Sequence, residues 1–156
     1  MLALTTDLPE RSLAAGEIVY REGDAVTTVL VLVDGQLEIE RGGMVVNSHR
    51  LPGSVVGEIG ALLHQPRSAT VTAAVPSVVR EIGDPDEFFA AHPKVGLEVA
   101  RQLAGRLHRL TAYVADVQQR FGDRDDHLGL FGELLHRIAD RPPVDIEPGS
   151  DRSPDY

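Results

Sequence analysis

The chain has 156 residues, no cysteine and a formal net charge of −9. Its length fits one domain, and 42% hydrophobic with 25% charged residues is ordinary for a globular protein. The lack of Cys excludes a disulfide scaffold, thiolate zinc sites and cysteine catalysis. The acidic balance argues against a dedicated nucleic-acid binder, and no apolar run reaches the ~20 residues of a membrane span. The opening residues, Met1 to Ser12, lack the basic and long apolar parts of a signal peptide, so a cytoplasmic location is expected.

Residues 13 to about 83 read as short strands and turns. The β-branched run Val29 to Val33 meets Asp34-Gly35, and Leu37 and Ile39 then alternate with Gln36, Glu38 and Glu40. Asp-Gly between such runs predicts a hairpin. Gly23-Asp24, Gly42-Gly43 and Pro52-Gly53 mark further turns. Val71, Ala73 and Val75 alternate with Thr72 and Ala74, and a last run from Val78 to Ile82 follows Pro76-Ser77. Many short strands with regular turn signals suggest a barrel or a jelly-roll sandwich.

The period changes after Asp84. Asp84-Pro85 predicts a helix start, and Pro93 opens a long helix running to about residue 121. Ala100, Leu103, Leu107, Leu110, Val114, Val117 and Phe121 recur in steps of 3 and 4, a heptad seam. The seam fits either burial on the domain's own sheet or a parallel homodimer. Leu128, Phe131, Leu134, Leu135 and Ile138 mark another amphipathic helix. The expected organisation is therefore a domain over 1–121, a helix over 122–140 and a Pro-rich acidic tail over 141–156.

The segment from Gly57 to Thr70 carries the chemistry. A Gly-permitted turn leads into a short helix whose first residues, Glu58, Ile59 and Gly60, offer unpaired backbone N–H groups. Arg67 follows the turn at Pro66, and its planar fork matches two phosphate oxygens. Ionised Glu58 is acceptor-only and suits a sugar hydroxyl. Read from the residues alone, the pair either holds a phosphorylated sugar or braces two strands as a buried Glu–Arg pair.

Gly57-Glu58-Ile59-Gly60-Ala61-Leu62, followed by Pro66-Arg67-Ser68-Ala69-Thr70, resembles the phosphate-binding cassette of the cyclic nucleotide-binding domain family. Ala15-Gly16-Glu17-Ile18, Glu22-Gly23-Asp24, Val33-Asp34-Gly35, Leu51-Pro52-Gly53 and Phe88-Phe89 with His92-Pro93 resemble its flanks, so the likeness covers roughly residues 12 to 121. The resemblance implies an α+β fold: a double-stranded β-helix jelly roll with flanking helices and a long C-terminal helix. It implies a cyclic nucleotide as ligand, with Glu58 on the ribose 2′-hydroxyl, Arg67 on the cyclic phosphate, and Ser68 and the N–H groups of Ile59 and Gly60 nearby. Ser68 in place of Thr favours cAMP over cGMP. Arg106 and Thr111 fall where family members place residues near the base or the cassette Glu, with Leu110 or Tyr113 one turn away. Phe88-Phe89 would precede the hinge.

Family members of the catabolite-activator type continue into a winged helix-turn-helix, for which one helix and a tail leave no room. Specific DNA binding is therefore not expected, and the signal would pass through the last helices to a protein partner. His49, the only His on its predicted strand, and the absence of H-x-H argue against a cupin-like metal site. No G-x-S-x-G elbow is present, and Asp123, Asp125 and Asp126 lack the register of a calcium loop. The expected class is a binding module rather than an enzyme, the alternative being a degenerate roll that serves protein interaction without nucleotide.

Overall fold

The computed structural model describes residues 1–121. After a single 3₁₀ turn at Leu2–Leu4 come eight strands and three helices. The strands are β1 (Glu10–Leu13), β2 (Ile18–Tyr20), β3 (Thr28–Asp34), β4 (Leu37–Arg41), β5 (Met44–His49), β6 (Val55–Val56), β7 (Thr70–Ala73) and β8 (Ser77–Gly83). Helix α1 (Glu58–Leu63) lies between β6 and β7, and α2 (Pro85–Ala91) and α3 (Pro93–Phe121) follow β8.

The strands form two antiparallel four-stranded sheets, ordered β1-β8-β3-β6 and β2-β7-β4-β5. This is the expected β-roll with flanking helices. Leu13, Leu30, Leu32, Val56 and Val79 of the first sheet share one core with Tyr20, Leu37, Val71 and Ala73 of the second. Burying these side chains between two sheets is what drives the roll to close.

Two expectations are corrected. Asp34-Gly35 does not close a hairpin, because β3 pairs with β6 and β8 while β4 pairs with β5 and β7. The turn is a corner that carries the chain from one sheet to the other. Gly35 adopts φ +96 hard against Ser77, where any side chain would collide with the Ser77 hydroxyl and Cα. Ser77 Oγ accepts from the Gln36 N–H at 3.0 Å and donates to Val75 O at 2.8 Å, fixing the corner. Gly42-Gly43 does close a hairpin, with Arg41 opposite Met44. The alternation starting at Val71 ends as strand at Ala73, and Val75 lies outside it.

Helix α2 begins as its sequence signals indicate. Asp84 is the N-cap, its side chain accepting the Glu87 N–H at 3.2 Å, with Pro85 next. The chain divides into a compact unit Met1–Gln102 and a second unit beginning at Leu103. Within the first unit, the start of α3 is fastened by buried Val95 and Val99, and by Gln102, which donates to Gly53 O and accepts from the Val55 N–H. Ala100, the first position of the heptad seam, is exposed. The anchoring face of the helix is therefore not the seam. In the second unit, the seam residues Leu107 and Leu110 are 61% and 58% exposed. The helix expected over 122–140 and the tail over 141–156 lie outside the described residues.

Candidate functional site

Gly57 opens the site. It is the N-cap of α1 at φ 89, ψ 2, a left-handed conformation that glycine adopts without cost. A Cβ there would sit 2.8 Å from Tyr20 Cε2 and collide with Arg67 Nη1. The glycine thus permits both the turn and the entry of the arginine. Glu58 follows as the first helical residue and is only 2% exposed. A carboxylate in the first turn is favoured by the helix dipole. Ile59, by contrast, is 44% exposed. Gly60 is buried, and the space its side chain would need is taken by Val26 Cγ2 at 2.7 Å and Gln65 O at 3.0 Å. The close approach at this glycine is made by the protein's own chain.

Arg67 is the most constrained member. It is 4% exposed, which places a cation inside the roll. Nη1 donates to Gly57 O at 3.1 Å and Nη2 to Thr28 O at 2.6 Å. The guanidinium carbon lies 3.5 Å from the centroid of the Tyr20 ring, a cation–π contact. The backbone is pinned as well: Arg67 N–H donates to Asp24 O, and Arg67 O accepts from the Gly23 N–H, both at 2.8 Å. Tyr20 is itself 8% exposed, and its hydroxyl reaches Thr28 O at 3.2 Å and Thr28 Oγ1 at 3.1 Å. Burial pushes the Tyr20 hydroxyl above its ordinary value, opposed by the Thr28 hydrogen bond and the nearby Arg67 charge.

Ser68 is exposed in the bend after Arg67, and Thr70 Oγ1 accepts from the Glu22 N–H at 3.1 Å. Gly57, Glu58, Ile59, Gly60, Arg67 and Ser68 therefore all lie on the β6–α1–β7 segment of one compact unit. Arg106 and Thr111 belong to the second unit. There Thr111 Oγ1 bonds back to Leu107 O and His108 O, at 3.0 and 2.9 Å. The partners of Arg67 that the sequence does not reveal are Tyr20 and Thr28. Nothing local marks them, since they meet Arg67 only through the closure of the two sheets.

Beside the cassette a cleft of about 600 Å³ is lined by Val26, Gly60, Ala61, His64 and Asp86, among others. His64 closes α1 in a left-handed conformation at φ 51, and its Nδ1 lies 3.6 Å from the Asp86 carboxylate. This pair links α1 to the first turn of α2.

A family model described as the cyclic nucleotide-binding domain matches residues 10–89, from β1 into α2 and including the whole cassette. The chain belongs to the cyclic nucleotide-binding domain family. Among curated relatives, the Pycsar effector protein XpPycTIR of Xanthomonas perforans is 30% identical over 91% of this chain and 52% of its own length. The acetyltransferase Pat of Mycolicibacterium smegmatis is 31% identical over 77% of this chain and 37% of its own. The chain thus spans about half or less of these relatives. A solved structure from work on a cyclic-GMP-dependent signalling pathway that regulates bacterial phytopathogenesis is 26% identical with a TM-score of 0.57, covering 69% of this chain and 91% of that one. The catabolite activator protein of Thermus thermophilus shares the fold at 18% identity and a TM-score of 0.62, over 88% and 81%. Domains of this family are regulatory, not catalytic. Among the described residues no group of three or more His, Asp or Glu side chains could hold a metal ion. No described helix is long and apolar enough to cross a membrane.

Proposed function

We propose that the chain is a regulatory module that binds cAMP and passes the signal through α3 to a partner. The observation that carries this reading is the buried Arg67 guanidinium, whose two hydrogen bonds go to neutral carbonyls next to the first turn of α1. A guanidinium has five N–H donors, so further donors remain for an anion. A buried cation gains most from a partner that brings a full negative charge. The cyclic phosphate is that partner. Glu58 accepts from the ribose 2′-hydroxyl, and Ser68 with the N–H groups of Ile59 and Gly60 completes the phosphate and ribose edge. The resemblance also nominates Arg106 and Thr111, on α3, for the base side.

Similar proteins include one from a cyclic-GMP-dependent pathway and a cAMP-dependent protein kinase regulatory subunit. The choice of cAMP rests on Ser68, since the resemblance associates a Thr at that position with cGMP. The seam Leu103, Leu107, Leu110, Val114 and Val117 supports a parallel homodimer, since Leu107 and Leu110 are left exposed in the single chain. A ligand that prefers one helix arrangement shifts the population toward it. The net charge of −9 supports the absence of specific DNA binding.

The test is calorimetry of the full chain with cAMP, cGMP, cCMP and cUMP, followed by competition between those that bind. Tightest binding of cAMP is expected. No heat with any of the four at millimolar concentration would overturn the reading. A second reading has its own support: an Arg67 already engaged by Gly57 O and Thr28 O suits a roll that is an interaction module without ligand. That outcome is the silent calorimeter.

A further inference from the structure

The structure assigns to Tyr20, which no cassette motif includes, the role of positioning Arg67 for the cyclic phosphate; the inference rests on the cyclic-nucleotide reading above. Three contacts form a closed triangle. The Tyr20 ring lies under the guanidinium at 3.5 Å, its hydroxyl reaches Thr28 O at 3.2 Å, and that same carbonyl takes Arg67 Nη2 at 2.6 Å. The ring fixes the plane of the fork, and the shared carbonyl fixes its rotation within the plane. Gly57 closes the remaining side, since a Cβ there would strike both Tyr20 and Arg67.

An arginine has many rotamers, and immobilising one on binding costs affinity. Here Arg67 is 4% exposed and Tyr20 8% exposed, so each restricts the rotamers open to the other. Position 20 lies 47 residues before Arg67 in the chain, at the end of β2. Tyr20 need not touch the ligand. It acts through Arg67 and is a positioning residue.

The test uses the full chain with Tyr20→Phe and Tyr20→Leu, each checked for folding by urea denaturation. Two quantities are read: the cAMP dissociation constant well below the melting temperature, and the NMR shifts of the Arg67 side-chain protons. Protons held over a ring face move upfield, so wild type and Tyr20→Phe should share that displacement and Tyr20→Leu should lose it. Affinity should fall about 10-fold in Tyr20→Leu, within the range of a desolvated cation–π contact, and stay within about 3-fold in Tyr20→Phe. A merely structural tyrosine would lower the urea midpoint of Tyr20→Leu and leave the dissociation constant unchanged. That result, or Arg67 shifts unmoved in Tyr20→Leu, overturns the inference. If wild type binds none of the four cyclic nucleotides, the functional reading fails first and this role fails with it. If wild type binds and Tyr20→Leu binds equally well, only this role fails.

Discussion

Gly57→Ala tests the link between backbone geometry and the buried arginine, and the structure supplies its own control. Gly57 sits at φ +89 with Tyr20 Cε2 2.8 Å from where a Cβ would lie and Arg67 Nη1 closer still. Gly23 sits at φ +88 with nothing within 4 Å. Both substitutions carry the left-handed backbone cost of about 1–2 kcal/mol. Only Gly57→Ala must also push the guanidinium off the ring and strain its bond to Gly57 O. A cation–π contact contributes roughly 0.5–2 kcal/mol and a hydrogen bond from a charged donor about 1.5–3 kcal/mol, and both should be only partly lost. Gly57→Ala should therefore destabilise by about 3–5 kcal/mol and Gly23→Ala by about 1–2 kcal/mol. At roughly 2–4 °C per kcal/mol for a chain of this length, the two midpoints should separate clearly. Urea denaturation measures the stabilities, and calorimetry should show cAMP affinity falling at least about 10-fold for Gly57→Ala alone. Equal losses for the two variants, with affinity unchanged in both, would refute the claim that Gly57 makes room for Arg67.

Arg67→Ala should weaken cAMP by roughly 2–5 kcal/mol, measured by calorimetry; an unchanged dissociation constant would place the phosphate elsewhere. Glu58→Gln should weaken cAMP more than 2′-deoxy-cAMP, and equal weakening of both would remove Glu58 from the ribose. Leu107→Asp should convert a dimer to monomers in light scattering, and a wild type that is monomeric at high concentration would sink the seam reading. Glu17 is held below the usual carboxylate range by the Ala14 N–H at 2.9 Å, followed by Arg11 Nη2 at 2.8 Å. A carboxyl lowered in the folded state adds stability above its unfolded value near 4.5 and loses it as pH falls through the folded value. The urea midpoint difference between wild type and Glu17→Gln should therefore be positive at pH 6 and shrink below about pH 4.5.

The sequence by itself determined whatever rests on a few adjacent residues. Asp84-Pro85 starts α2, Pro93 starts α3, and Gly42-Gly43 turns β4 into β5, because caps and two-residue turns are local chemistry. The cassette from Gly57 to Thr70 was legible for the same reason: its glycine, carboxylate and arginine sit on one continuous segment. Tertiary structure decided which strands meet. Asp34-Gly35 has the local form of a hairpin turn, yet Ser77, 42 residues on, makes it a corner between sheets. The same holds along α3, where heptad spacing is visible in the sequence but the anchoring residues are Val95, Val99 and Gln102. Most of all it holds at Arg67, whose chemistry the motif names but whose setting comes from Tyr20 and Thr28. Those two lie on strands of different sheets, and only burial of the shared apolar core brings them to the arginine.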